Sequence, residues 1–307
     1  MRDCRLACVN VEGGCVRRPG CVTAAGRRAE APPPFTVWRQ VLLFAMSIWL
    51  SYPLATVHAD ASAVAGRAIL ARNQDAVITV KVVIKASFGG REGTRETKNE
   101  TIGTVVDPSG LTVISLSSID PYSMVADLMR GRGRTEMRWE TEVTDIKLLL
   151  ADETELAAEV VLRDKDLDLA YVRPKEKPAR PLRAVAMTTD VKPTQLDEVI
   201  VVSRLGKVAS RVPCVSASRV QAIVEKPRPF YVLEQTTGSS GLGAPVFSLK
   251  GKPLGVLLLR TSRSQDDFAG GGSTRGMMAV VVPAKDVLDG AKEALAFQDP
   301  SDGAKSE

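Results

Sequence analysis

The sequence predicts an all-β fold, built as a barrel or as a pair of packed sheets. Short runs rich in Val and Ile recur after residue 75 and alternate with polar residues, as in AVITVKVVIKASF at 76–88. Turn-forming residues separate these runs, and the Asp-Pro-Ser-Gly turn inside GTVVDPSGLTVISL at 103–116 is one example. Many short strands at this spacing are typical of barrels and sandwiches.

Helical patterns are predicted only near the two ends of the β region. ASAVAGRAILARN at 61–73 and VPAKDVLDGAKEALAF at 282–297 have helical spacing and good helix formers, and a polar tail follows the second. Between them the predicted strands fall into two sets. The first set lies within 76–88, 103–116 and 146–174, and the second comprises 198–203, 207–225, 230–235, 245–249, 253–260 and 277–282.

The charge distribution argues against a nucleic-acid partner. The net charge is +5, but seven Arg against three acidic residues place +4 of it within residues 1–59. The remaining chain is nearly neutral, which makes it a poor binder of polyanions. Ordinary hydrophobic (44%) and charged (25%) contents predict a globular body.

Residues 37–59 are predicted to be a secretory signal. Arg39 precedes the apolar run VLLFAMSIWL at 41–50, and Val57-His58-Ala59 fits the small-residue pattern of a signal-peptidase site. We expect an exported protein, periplasmic or secreted. The alternative is an uncleaved segment over residues 41–57, which would anchor the protein to a membrane.

Residues 1–36 form an Arg- and Pro-rich extension without periodicity, and we interpret them as disordered or mis-annotated, with translation starting near Val37. They carry Cys4, Cys8, Cys15 and Cys21 with no histidine nearby, so the spacing of a zinc site is not met. The exported part then holds one cysteine, Cys214, which we expect to be a buried small residue. No metal and no cofactor is predicted.

Four segments carry a family resemblance. They are GTVVDPSGLTVISLSSI from Gly103, RDKDLDLAYV at 163–172, VIVVSRLGKVASRVPCVSASRV at 199–220, and the run from Pro245 to Val256 that follows a glycine cluster. In this order they resemble the trypsin-like serine peptidases of the high-temperature-requirement (HtrA) family. The resemblance covers roughly residues 75–285 and implies two six-stranded antiparallel β-barrels, about 75–175 and 190–285, flanked by helices at 60–74 and from 286. Ten residues after the last helix are too few for the family's PDZ domain.

The resemblance assigns the positions of a catalytic triad, but with the wrong residues. Ser117 stands at the position of the histidine base, Asp168 at the orienting carboxylate and Leu242 at the serine nucleophile. If Leu242 and Gly243 are an insertion, GSSG at 238–241 makes Ser240 the nucleophile instead. The only histidine of the chain is His58, inside the predicted cleavage motif, so the exported part has no histidine base. We expect Asp168 to bond Ser117 or nearby backbone N–H groups.

The sequence therefore predicts a trypsin-fold pseudoprotease that binds a peptide or protein. No residue of the chain can be assigned one of the family's usual catalytic roles. Leu242 and Gly243 are candidate binding residues in the cleft, and Arg138 and Trp139 are candidates in the long loop at 120–143. A second long loop, 261–276, lies beside the strand edge near Val256 to Arg260 that would hold a ligand by β-augmentation. The alternatives are a divergent serine endopeptidase using Ser240, and a structural subunit of an envelope complex that is contacted through the Arg/Trp loop.

Overall fold

The computed structural model describes residues 60–88, 94–121, 139–188, 191–234, 241–261 and 277–297. Helix α1 (Ala61–Asn73) opens this part of the chain, and Asp60 caps it by accepting the backbone N–H of Ser62 at 3.1 Å and its hydroxyl at 2.6 Å. Helix α2 (Ala284–Ala296) ends it. Within the described ranges, twelve strands lie between the two helices, in two closed antiparallel barrels of six.

The first barrel has the strand order β1-β2-β3-β6-β5-β4. Its strands are β1 (Val77–Phe88), β2 (Thr94–Val105), β3 (Thr112–Ser115), β4 (Trp139–Leu149), β5 (Glu155–Asp164) and β6 (Leu169–Pro174). Alternate residues of β1, including Ile78, Val80, Val82 and Ile84, are buried in its core, which is the period expected of strands with one face inside a barrel.

The second barrel repeats the pattern, in the order β10-β11-β12-β9-β8-β7. Its strands are β7 (Glu198–Arg204), β8 (Pro213–Val224), β9 (Phe230–Leu233), β10 (Pro245–Ser248), β11 (Pro253–Thr261) and β12 (Met277–Pro283). Its core is continuous with apolar residues of the first barrel such as Val113 and Leu169. Helix α2 packs onto this junction, where the Tyr171 hydroxyl donates to the Val287 carbonyl at 2.7 Å.

Two arginines from one end of the second barrel hold the barrels together. The guanidinium of Arg204 donates to the carbonyls of Val77, Gln74 and Arg211, and so ties β7 to the start of β1. Arg211 forms a two-pronged ion pair with Glu100 on β2, at 3.0 and 2.6 Å. A bidentate pair of this kind fixes orientation more strongly than a single contact. These contacts therefore fix how the two barrels pack against each other.

The predicted all-β class with short terminal helices is confirmed. The strand predicted at 207–225 is shorter than expected: residues 207–209 form a 3₁₀ helix, residues 210–211 a turn, and β8 begins at Pro213. Ser210 and Arg211 both have φ near +53°, in the left-handed region, which stops the chain from continuing as a strand. Cys214 is half-buried rather than fully buried, because it lies in a stretch of β8, residues 213–215, that is half-buried throughout.

Within the described ranges, no helix has the length and apolarity needed to cross a membrane. The predicted signal segment lies outside these ranges.

Candidate functional site

Asp168 lies at the junction of the two barrels, at the end of the turn between β5 and β6. Asp164 builds this turn by accepting the N–H groups of Asp166 at 2.8 Å and Leu167 at 3.1 Å. Asp168 itself has a φ of +59°, a left-handed conformation that aspartate tolerates better than most residues. Its carbonyl accepts the Leu116 N–H at 2.8 Å, which fixes the turn against β3.

The Asp168 carboxylate is surrounded by hydrogen-bond donors. The backbone N–H of Ser117 donates to Oδ1 at 2.7 Å. Oδ2 receives the Ser115 hydroxyl at 2.5 Å, the Leu259 N–H at 2.9 Å and the Ser117 hydroxyl at 3.3 Å. The two serine hydroxyls also contact each other at 2.7 Å. Because Leu259 belongs to β11, this carboxylate joins the two barrels.

Burial raises the pKa of the Asp168 carboxyl from 3.8 to about 6, although the donors from Ser115, Leu259 and Ser117 act in the opposite direction. Loss of solvation therefore outweighs the hydrogen bonds. The expected contact between Asp168 and Ser117 is present.

The position that the resemblance assigns to the base is held by Ser117, in a 3₁₀ turn directly after β3. Its side chain is half-buried, and its hydroxyl points into the cluster around Asp168. Ser115 and the Leu259 N–H were not predicted as members of this cluster. Ser115 could have been considered from its place at the end of β3, two residues before Ser117. Leu259 could not, because no local pattern links it to residue 168.

The position that the resemblance assigns to the nucleophile, Leu242, lies in a buried turn, Gly241–Ala244, in which the Ala244 N–H donates to the Gly241 carbonyl at 3.1 Å. We call Gly241–Ala244 the nucleophile turn. The Leu242 side chain is only 4% exposed. A ligand would therefore reach little of it in this conformation. The turn is tied to β11, because Gly243 N–H donates to the Leu257 carbonyl at 2.7 Å and Leu257 N–H donates to the Ala244 carbonyl at 2.8 Å.

Gly243 is the residue of this turn that contacts the first barrel. Its carbonyl accepts the Thr104 hydroxyl at 2.6 Å. Its φ is +92°, and a Cβ placed on it would lie 2.0 Å from the Ile102 carbonyl oxygen. Only glycine permits both this conformation and this approach. Gly243 therefore serves as the contact point between the nucleophile turn and β2.

The strand edge predicted to hold a ligand is smaller than expected. The N–H and carbonyl of Leu257 already bond the nucleophile turn, and the Leu259 N–H bonds Asp168. Antiparallel pairing with β12 makes backbone groups point to alternate sides, so Leu259 and Thr261 face the same edge as Leu257. The groups without a bond to any described residue on this edge are the Leu259 carbonyl and the N–H and carbonyl of Thr261.

Other candidate residues fall outside what the structure describes. Ser240 and Arg138 are outside the described ranges, and of Trp139 only the backbone, as the first residue of β4, is described. Most of the two long loops, 122–138 and 262–276, is also outside. Among the described residues no group of three or more His, Cys, Asp or Glu side chains is arranged to hold a metal ion.

The comparisons with known proteins agree with this geometry. A comparison with curated protein sequences finds no significant match. Residues 101–256, from β2 to β11, match the family described as the trypsin-like peptidase domain. The match covers just over half of the 307 residues, and it includes strands of both barrels together with Ser117, Asp168 and Leu242. The chain therefore belongs to the trypsin-like peptidase domain family.

Proposed function

We propose that this protein is an exported, HtrA-like member of the family that does not hydrolyse peptide bonds and that binds an extended peptide or protein segment in its cleft. The observation that carries this proposal is the state of the Asp168 carboxylate. It is hydrogen-bonded to Ser115, Ser117 and Leu259, at the place where the family's mechanism needs a carboxylate that orients a base.

The groups at the site do not supply a base. A serine hydroxyl such as that of Ser117 does not take up a proton at neutral pH, so it cannot replace histidine as the base. The Asp168 carboxyl has a pKa of about 6, but Oδ2 already accepts three donors and Oδ1 a fourth. Taking a proton from a nucleophile would require breaking part of that cluster. Loss of the base or nucleophile costs about a million-fold in kcat in enzymes of this kind.

The binding surface does not depend on the triad. Main-chain pairing needs only open N–H and carbonyl groups at a strand edge. Leu259 and Thr261 provide such groups at the end of β11, directly beside the Asp168 cluster. This edge supports a cleft that holds an extended segment after the chemistry has been lost.

Export is supported by the sequence before Asp60. The apolar run at 41–50 and Ala59 at the end of a small-residue motif fit a signal that is removed during secretion.

Labelling with a fluorophosphonate probe tests the absence of hydrolysis. We expect the purified full-length chain to remain unlabelled and to leave unfolded casein intact, because the chain has no histidine after His58 and no described group at the site can activate a serine. An active trypsin-like peptidase serves as the positive control.

Ser240→Ala is the matched control variant for this experiment. Probe attachment to the wild-type chain that disappears in Ser240→Ala would show a working nucleophile, and the proposal would be wrong.

A further inference from the structure

Strand β2 is paired along most of its length on one side only. It pairs with β1 from Thr94 to Thr104, but it pairs with β3 only through Thr104 and Val105. Among the residues that the structure describes, none pairs with Thr94–Gly103 on the side away from β1. We call Thr94–Glu100, on this second side, the β2 edge. An unpaired strand edge is a template for pairing with another chain.

The backbone groups that point out from the β2 edge can be assigned from the neighbouring hydrogen bonds. The Val106 N–H donates to the Leu111 carbonyl at 2.8 Å, directly after the last paired residues of β2 and β3. Backbone groups of a strand point to alternate sides, and β2 pairs with β1 without a shift in register. The even-numbered residues of β2 therefore direct their N–H and carbonyl groups away from β1. On the β2 edge these include Glu96 and Lys98.

The side chains of Glu96 and Lys98 share the outer face of the sheet. A Cβ added to Gly103 would meet side chains of the first barrel's core, so the odd-numbered residues of β2 face inward and the even-numbered residues outward. Residues 95–100 are all exposed. Asn99 donates from its side chain to the Ser118 carbonyl at 3.2 Å, a contact made from the inner face that uses no backbone group of the β2 edge.

The charges on the β2 edge are complementary to those of a second copy of the same strand. Charged residues at a strand edge usually discourage pairing with other chains. Here the two signs alternate along one face, so the effect depends on the register. In an antiparallel pair with its two-fold axis at Thr97, Glu96 lies opposite Lys98 of the second copy, and Lys98 lies opposite its Glu96. Opposite charges on directly facing residues stabilise such a pair.

The other registers near the centre of the β2 edge are unfavourable. An axis at Glu96 or at Lys98 places that residue opposite itself, and like charges that face each other are destabilising. An axis between two residues sets a residue that points out from the edge against one that points to β1, so their backbone groups cannot bond. An axis at Asn99 sets Thr94 opposite Thr104, which already pairs with β3.

We propose that this chain forms a symmetric homodimer by antiparallel pairing of two β2 edges about Thr97, with reciprocal ion pairs between Glu96 and Lys98. Both copies use the same surface, as in other two-fold dimers. The contact is narrow and its ion pairs are exposed, so we expect a dissociation constant on the order of 10–100 μM. The dimer does not depend on the proposed function, because it uses no residue of the cleft.

Charge reversal tests the ion pairs, with dimerisation of the full-length chain measured by sedimentation equilibrium. Lys98→Glu and Glu96→Lys each bring like charges together in both halves of the symmetric contact and should weaken the dimer by about tenfold or more. The double variant Glu96→Lys/Lys98→Glu faces opposite charges again and should return to within about threefold of the wild type. Lys192→Glu, an exposed residue before β7, is the control and should change the affinity by less than about twofold.

A cysteine at the two-fold axis tests the register. Residue 97 of each copy would form a pair without backbone hydrogen bonds, whose Cα atoms lie about 4.5 Å apart, within the range that a disulfide spans. Thr97→Cys should therefore give a dimer linked through position 97 under mild oxidation, identified by mass spectrometry of the linked peptides. Arg95→Cys is the matched control, since position 95 lies opposite Asn99 of the second copy and should not link to itself.

Three results would overturn the proposal. The first is a wild-type chain that stays monomeric up to about 1 mM. The second is a dimer whose affinity is unchanged in both single charge variants, or is not restored in the double variant, because its contact then lies elsewhere. The third is equal self-linkage of Thr97→Cys and Arg95→Cys, which would show that the strands do not meet in this register.

Discussion

Replacing Gly243 with alanine should destabilise the protein by about 4 kcal/mol, a large part of the stability of an ordinary domain. The left-handed backbone conformation costs a non-glycine residue about 1–3 kcal/mol. The new Cβ would also lie 2.0 Å from the Ile102 carbonyl oxygen, so either β2 or the nucleophile turn has to move. Chemical denaturation of the two proteins measures the difference directly.

Gly206→Ala is the matched control for this substitution. Gly206 has a φ of −70°, and a Cβ added there would have no atom within 4 Å. Its replacement should change the free energy of unfolding by less than about 1 kcal/mol, in the stabilising direction if at all. Equal effects at the two glycines would contradict the close contact between the turn and β2.

Replacing Asp168 with asparagine should cost about 2 kcal/mol at pH 7.5. The substitution keeps the shape of the side chain but turns one carboxylate oxygen into an NH₂ donor. In either orientation of the amide this donor faces a backbone N–H, of Ser117 or of Leu259. A buried backbone N–H left without an acceptor costs about 1–3 kcal/mol.

The difference in the free energy of unfolding between wild type and Asp168→Asn should grow as the pH falls. The folded protein binds the Asp168 proton with a pKa of about 6, whereas the unfolded chain binds it near 3.8. The stabilisation of the folded state by protonation of Asp168 is therefore fully present below pH 3.8, and it is lost as the pH rises through 6. Between pH 7.5 and 4.5 the wild type should gain about 2 kcal/mol relative to the variant.

Denaturation curves at a series of pH values measure this gap. Asp75→Asn, an exposed residue in the turn after α1, is the control and should change the free energy of unfolding by less than about 0.5 kcal/mol. If the difference in the free energy of unfolding between wild type and Asp168→Asn instead narrows on acidification, the four hydrogen-bond donors, rather than burial, determine the pKa of the Asp168 carboxyl.

The fold could largely be predicted because most strands show a recognisable pattern of residues within their own sequence. Alternating Val and Ile mark β1, and the predicted helix at 61–73 has the bounds of α1. Most of β2, from Thr94 to Ile102, was not predicted, because residues 95–100 are mainly polar and exposed. This part of β2 is held as a strand by pairing with Thr79 to Ser87 of β1, a tertiary effect that local patterns do not contain.

The site could be predicted only where a local sequence motif marks its residues. Ser117 and Asp168 were found from motifs, and their contact follows from the strand order of the first barrel. The Leu259 donor is 91 residues away from Asp168 and on the other barrel, so only the packed structure reveals it. The burial of Leu242 likewise depends on how the turn packs against the strands.

The fate of a bound peptide tests the central claim most directly. A mixture of extended peptides is incubated with the full-length chain, the complex is isolated by size-exclusion chromatography, and its peptides are identified by mass spectrometry. Our account predicts that a subset is retained and that every retained peptide is intact. Recovery of new cleavage products that are absent from the protein-free control would show a working peptidase, and retention of no peptide at all would show that the cleft does not bind.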